Sequence, residues 1–291
     1  MYTFGLKPRA GFEPATTALP RQAINYSTLR SSFIEYLDSQ SLSIKYKQDL
    51  ISYLDKWATH PIASAKDIFR LFSKINNGKE HLWKGLRVLF NYLEAIGYDK
   101  DFLDGLRKAL PKIQNGIDMQ VPDEASLMES MQKLNGIPKG YDALYNLLLD
   151  SGLRLIEAVK VLNEFKDAEK INGFYRANVG MFRGSKQAYY AYFTEATYQK
   201  IQQAPREPIN PTNASHYYDK KGFISPKYLR KFAFDKMIEL EIPESIADFI
   251  EGRVAKRIGA KHYMALARQA NGFYGKYAEY LNGLRARLYR K

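Results

Sequence analysis

The chain of 291 residues contains no cysteine and only four histidines, His60, His81, His216 and His262. The first absence excludes disulfide scaffolds, thiol nucleophiles, zinc fingers and iron–sulfur clusters, since each needs a cysteine sulfur. The histidines are too widely spaced to suggest a His-built metal site. No run approaches the roughly 18 consecutive apolar residues that a membrane span needs. The first residues also lack the continuous apolar core of a secretion signal. Internal repeats and low-complexity tracts are missing. Acid is in short supply, with 31 Asp+Glu against 44 Lys+Arg and a formal charge of +13. At 45% hydrophobic and 26% charged residues, the composition is that of a folding chain and not of a disordered or fibrous one. What remains is a cytoplasmic protein, long enough for about two domains. Its charge attracts polyanions, of which nucleic acid is the commonest. No metal or other cofactor is implied.

Residues 1–28 read as irregular, punctuated by Pro8, Gly11, Pro14 and Pro20. From about Ser31 the apolar period is helical. Phe33, Tyr36 and Leu37 mark one helix, and Tyr46, Leu50, Tyr53, Leu54 and Trp57 a second. A third opens at Ser64 with Asp67 at capping-box spacing. A fourth runs from about Lys79 to Ile96, with Gly97 as its stop. A shorter one covers Phe102–Leu110. The period thus predicts a helical bundle over 29–112, a linker over 113–122 and a second domain over 123–291. That second domain opens with helices near Glu124–Leu134, Tyr141–Leu149 and Leu155–Phe165. Then the period changes. Ile171–Arg176, Val179–Arg183 and Ala188–Phe193 are short, aromatic-rich and separated by turn residues, which predicts a three-stranded antiparallel sheet. Helices follow again after Thr194. The fold class is therefore mainly α with a small antiparallel β-sheet. The aromatic run Tyr189, Tyr190, Tyr192 and Phe193 is expected to pack that sheet and not to stack bases.

Four short motifs carry chemistry. Ser151-Gly-Leu-Arg154 is followed by Glu157. Arg183-Gly-Ser-Lys186 sits at the predicted strand turn. Ser225-Pro-Lys227-Tyr-Leu-Arg230-Lys231 opens a helical stretch. Glu251-Gly252-Arg253 precedes Tyr263 by ten residues, across a segment with Lys256, Arg257 and Lys261 and no acid. In this order they resemble the boxes of the tyrosine recombinases, the phage-integrase family. Lys227 replaces that family's usual histidine, and Arg253 replaces its His or Trp. The Lys-x-x-Arg version is similar to the integrases of archaeal spindle-shaped viruses and related archaeal plasmids. The resemblance covers about residues 120–270, and implies an N-terminal helical core-binding bundle joined to an α+β catalytic domain.

The residue types suit the chemistry on their own terms. Cutting a phosphodiester means attacking a phosphorus shielded by negative oxygens and expelling an alkoxide. Two guanidiniums, Arg154 and Arg230, offer planar forks matched to phosphate oxygens and can neutralise the developing charge without a metal. The resemblance implies Tyr263 as nucleophile, forming a 3′-phosphotyrosine ester without ATP. It implies Lys186 as general acid for the departing 5′ oxygen. Lys227 and Arg253 would add donors to the phosphate, and Glu157 would orient Arg154. Lys231, Lys256, Arg257 and Lys261 are expected to contact DNA. His262 reads as a surface or hydrogen-bonding residue.

The implied function is integration and excision of an archaeal virus or plasmid genome at a host tRNA gene, by a two-domain clamp on double-stranded DNA. The protein would form a homo-tetramer on paired attachment sites and be a monomer free in solution, with no membrane partner. Gly11-Phe12-Glu13-Pro14 back-translates to a sequence that can spell the T-arm of a tRNA gene, so residues near 1–28 are expected to be set by an attachment site within the coding sequence. The amphipathic tail Met264–Leu284 is expected to pack onto a neighbouring protomer, with folding back on its own domain as the alternative. Two other readings remain open: type IB-like topoisomerase activity without strand exchange, and a non-catalytic DNA-binding relative.

Overall fold

The structure is a computed structural model that describes residues 23–113, 116, 118–183, 186–253 and 263–288; at residues 183, 263 and 264 it describes the backbone alone. Most of the irregular N-terminal segment, including Gly11–Pro14, therefore lies outside the described residues. The described residues form two compact units divided between 117 and 118.

The first unit consists of five helices: α1 (Tyr26–Ser39), α2 (Ile44–Trp57), α3 (Ala65–Ser73), α4 (Lys79–Ala95) and α5 (Lys100–Ala109). Each apolar stripe read from the sequence faces a shared core that includes Phe33, Leu37, Leu50, Leu54, Ile68, Phe72, Leu86, Phe90 and Leu103. Helix α1 starts five residues earlier than its period suggests. Tyr26 is the reason: it is buried and meets Phe33, two turns on, edge to face at 6.2 Å.

The second unit continues with α6 (Glu124–Gln132), α7 (Lys139–Ser151), α8 (Leu155–Asn163), strands β1 (Glu169–Ile171), β2 (Phe174–Arg183) and β3 (Lys186–Thr194), then α9 (Glu195–Gln203), α10 (Pro211–Lys220), α11 (Pro226–Glu239), α12 (Glu244–Ile250) and α13 (Tyr263–Leu288). Helix α7 is its axis. Ten of the twelve residues from Gly140 to Ser151 are buried, so this helix is enclosed on every side and sits inside the unit.

The sheet is antiparallel with the order β1-β2-β3, but its first strand break differs from the expected one. Ile171 pairs with Phe174 across Asn172 (φ 44°) and Gly173 (φ 92°), a two-residue hairpin turn with both central residues left-handed. Residues 174–183 are then one strand. It bulges between Asn178 and Met181, where Gly180 has φ 55°. Of the aromatic run, Tyr192 and Phe193 are fully buried, while Tyr189 and Tyr190 are half-buried against Phe249.

The tail also corrects an expectation. Helix α13 folds back onto its own unit: Ala270, Tyr274, Tyr277, Leu281 and Leu284 are buried in the core. The Tyr274 hydroxyl donates to the Asp150 carbonyl (3.0 Å) and the Tyr277 hydroxyl to that of Leu149 (2.9 Å). Arg285 reaches the fully buried Asp150 carboxylate, which also accepts from the Thr194 and Thr197 hydroxyls at 2.8 and 2.7 Å. A buried carboxylate needs such a partner, and here the tail supplies it within the same chain.

Candidate active site

Helix α7 ends at Gly152 in the left-handed conformation (φ 59°), and two residues later Arg154 caps α8. Glu157 closes that start. It accepts the Arg154 backbone N–H at one carboxylate oxygen and the Arg154 Nη1 at the other, both at 3.0 Å. The same Nη1 donates to the Gly252 carbonyl at 2.9 Å. From α11, Arg230 Nη1 donates to the carbonyls of Gly152 (2.9 Å) and Glu251 (2.7 Å). Two guanidiniums from distant helices thus grip successive carbonyls of one turn, Glu251-Gly252.

That turn is locked from the sheet side as well. The Gln187 N–H donates to the Gly252 carbonyl (3.2 Å), and Lys186 forms an antiparallel bridge with Arg253. Gly252 has φ 72°, and a Cβ there would lie 2.8 Å from the Ala188 Cβ, so only glycine lets β3 approach this closely. Arg253 places Nη2 3.0 Å from Glu251 Oε2, Nη1 3.4 Å from Asp248 Oδ1, and its guanidinium 4.8 Å from the Phe234 ring centre.

The electrostatics follow from burial. The Arg230 side chain is 11% exposed, and its guanidinium is lowered to about 10 because burial outweighs the attraction of Glu251, with Arg154 and Arg253 adding repulsion. Glu251 is fully buried, and burial pushes its carboxyl up to about 7, against the pull of Arg230, Arg253 and Arg154. Arg230 Nη2 lies 3.3 Å from Glu251 Oε2 but has no acceptor in hydrogen-bonding geometry. A phosphate oxygen is the kind of group that would complete it.

Other sequence-assigned residues fall elsewhere. Lys227 is not brought to this cluster: its side chain is 63% exposed and its ammonium pairs with Asp118. Lys231, one turn along α11, also reaches the Asp118 carboxylate (3.0 Å) and the Gln120 carbonyl (3.1 Å). The hydrogen bonds from Lys227, then from Lys231, hold the Asp118 carboxyl well below the usual carboxylate range. Lys186 is exposed at the start of β3. Tyr263 opens α13, and its side chain lies outside the described part; Lys256, Arg257, Lys261 and His262 lie outside the described residues altogether. Neither Glu251 nor Asp118 has a role in the sequence-based assignment. The one signal for Glu251 is its place immediately before Gly252-Arg253, the last acid before a stretch that carries only basic charges as far as Tyr263. Among the described residues no group of three or more His, Asp or Glu could hold a metal, and no helix is long and apolar enough to cross a membrane.

Residues 119–280 match the archaeal phage integrase family. The chain belongs to that family. The match spans more than half the chain and contains every element of the cluster just described. Among solved structures, lambda integrase in a dimer bound to a COC′ core site aligns over 86% of this chain and 95% of that one, with 13% identity and a TM-score of 0.61. A lambda integrase tetramer bound to a Holliday junction aligns over 87% and 81%, with 14% identity and a TM-score of 0.59. Lambda integrase bound to DNA aligns over 80% and 93%, with 15% identity and a TM-score of 0.58. At these identities the shared property is the fold. No curated protein matches this integrase at a comparable level of significance.

Proposed function

We propose that this integrase is a site-specific tyrosine recombinase that cuts and rejoins duplex DNA. The observation that carries the reading is the convergence of Arg154, Arg230 and Arg253 on the Glu251-Gly252 turn, with the Lys186 strand bonded to that turn. In this reading the scissile phosphate docks against the guanidiniums, which neutralise charge as five oxygens crowd the phosphorus. The Tyr263 hydroxyl gives up its proton to solvent as its oxygen bonds to phosphorus, the bond to the 5′ oxygen breaks, and Lys186 protonates that leaving group. The resulting 3′-phosphotyrosine ester keeps the bond energy, so a second strand's 5′ hydroxyl can reverse the step with no ATP or metal. Lys227 and Lys231, now neutralised by Asp118, turn to the DNA backbone instead, as do Lys256, Arg257 and Lys261. Working on paired attachment sites calls for a homo-tetramer. The biological event is integration and excision of an archaeal virus or plasmid at a tRNA gene, a target suggested by the T-arm sequence that codons for Gly11–Pro14 can spell.

A nicked duplex traps the covalent state, because the 5′ fragment diffuses away. The unmodified chain should give a protein–DNA adduct, and Tyr263→Phe none. Absence of any adduct with the unmodified chain sinks the enzymatic reading in favour of DNA binding alone. Mapping the covalent junction on supercoiled DNA that carries a tRNA gene then tests the target. Relaxation at scattered sites without joining of paired duplexes would point to a topoisomerase.

A further inference from the structure

The cluster contains a charge that the proposed cleavage step does not use. Glu251 is fully buried at the end of α12, and neither carboxylate oxygen receives a hydrogen bond of good geometry. Its attraction to the cluster is through ion pairing, 3.0 Å to Arg253 Nη2 and 3.3 Å to Arg230 Nη2. The charged and titratable groups facing it come from every side. Arg230 comes from α11, Arg154 and Glu157 from the start of α8, Asp248 and Arg253 from its own segment, and Tyr277 from α13. Three guanidiniums thus stand against three carboxylates, Glu157, Asp248 and Glu251. Among the described arginines and carboxylates around Glu251, positive and negative charges are equal in number before any DNA arrives.

A phosphodiester brings one more negative charge into that balance. The three carboxylates are not equally placed to relieve it. Glu157 is bonded to both the backbone and the side chain of Arg154. Asp248 keeps 13% exposure, so solvent screens it. Glu251 has neither bonds nor water. It also has no room to turn away: Gly152 packs so tightly on it that a Cβ there would lie 2.8 Å from Oε1. Two anions forced to share cations in a low-dielectric site do not both stay ionised.

We propose that Glu251 is a proton-linked positioning residue of the phosphate pocket. Ionised, it holds the Arg230 and Arg253 guanidiniums in place while the pocket is empty. When a DNA phosphate enters, the carboxylate takes one proton from solvent and becomes the neutral acid, and the guanidiniums turn their charge to the phosphate oxygens. No other bond changes. Its carboxyl is already raised to about 7 in the free protein, so the uptake falls in the neutral range. The inference rests on a phosphate seated in this cluster, and not on the cleavage step.

Titration calorimetry of the full chain with a random-sequence duplex, repeated in buffers of different ionisation enthalpy, counts the protons taken up. At about pH 7.5 the unmodified chain should take up a sizeable fraction of one proton more per bound duplex than Glu251→Gln. Above about pH 7 its DNA affinity should fall by up to tenfold per pH unit, and that of Glu251→Gln should not follow. Equal uptake and equal pH profiles in the two proteins overturn the proposal. Should Glu251→Gln fail to fold, infrared difference spectra of the unmodified chain decide the matter: a protonated-carboxyl C=O band should appear on adding DNA, and its absence overturns the proposal. Uptake without any covalent adduct would leave this inference standing and remove the recombinase reading. An adduct without uptake would do the reverse.

Discussion

At the scale of single residues, the arginines of the candidate site are anchored by the protein itself. Arg154 and Arg230 each commit Nη1 to two oxygens, a carboxylate and a carbonyl for Arg154 and two carbonyls for Arg230. A planar fork can be rooted at one nitrogen and still present another, whereas an ammonium on a flexible stem cannot. Arg230→Lys should therefore slow single-turnover adduct formation by about 100-fold or more, the usual loss for one preorganised charge-stabilising donor. A rate within a few-fold of the unmodified chain would show that charge alone, and not the fork, is required. Lys186→Ala has a different signature. It should slow cleavage of ordinary DNA but leave a 5′-bridging phosphorothiolate well cleaved, because a thiolate leaves without an acid. Equal impairment on both substrates would take the general-acid role from Lys186. Folding stability carries its own pH signature at this scale. Glu251 has its carboxyl raised from 4.5 to about 7 in the folded chain. The folded state thus retains a proton that the unfolded state has released, and the contribution is full below the ordinary carboxylate range and lost as pH rises through about 7. Denaturant midpoints should show this slope across pH 4.5 to about 7, and Glu251→Gln should flatten it.

At the scale of elements, what the sequence makes legible is whatever depends on neighbours along the chain. The helices of both units follow apolar periods, and the sheet's existence follows the switch to short aromatic runs. The strand break did not, although Asn172-Gly173 is the strongest short hairpin signal a sequence can carry. It sits between Ile171 and the Phe174-Tyr175 pair, a run that reads equally well as one short strand, so the spacing of apolar residues hid the turn. The buried role of Glu251 was not legible for a different reason: it depends on Gly152, which is remote in sequence and meets it only through the fold. The tail's destination likewise depends on partners remote in sequence: the α7 carbonyls that receive the Tyr274 and Tyr277 hydroxyls, and Asp150, which pairs with Arg285. Replacing Arg285 with alanine strips that carboxylate of its cation, and removing one partner of a buried pair costs about 3–5 kcal/mol. Such a loss in equilibrium unfolding would confirm that α13 is docked within its own unit. A change below about 1 kcal/mol, the range of exposed ion pairs, would argue that the tail is held elsewhere.

At the scale of the whole molecule, the excess of 44 basic over 31 acidic residues is not spread uniformly in use. Within the second unit many cations already have partners: Arg154, Arg230 and Arg253 share three buried or half-buried carboxylates, and Lys227 and Lys231 share Asp118. A cation that must first leave a carboxylate contributes less to DNA affinity than a solvated one, because it exchanges one anion for another. The salt dependence of binding should report this difference. For a protein that neutralises about 6–10 phosphates, affinity falls by about 10³–10⁵ between 50 and 200 mM salt. Asp118→Asn frees Lys227 and Lys231 together, and each freed ammonium that reaches a phosphate steepens the slope of log affinity against log salt by about 0.9. The variant should thus bind a random duplex more tightly at low salt, with a slope steeper by about 1–2. An unchanged slope would mean that these two lysines stay off the DNA, and that the contacts from this face of α11 belong to Arg230 alone.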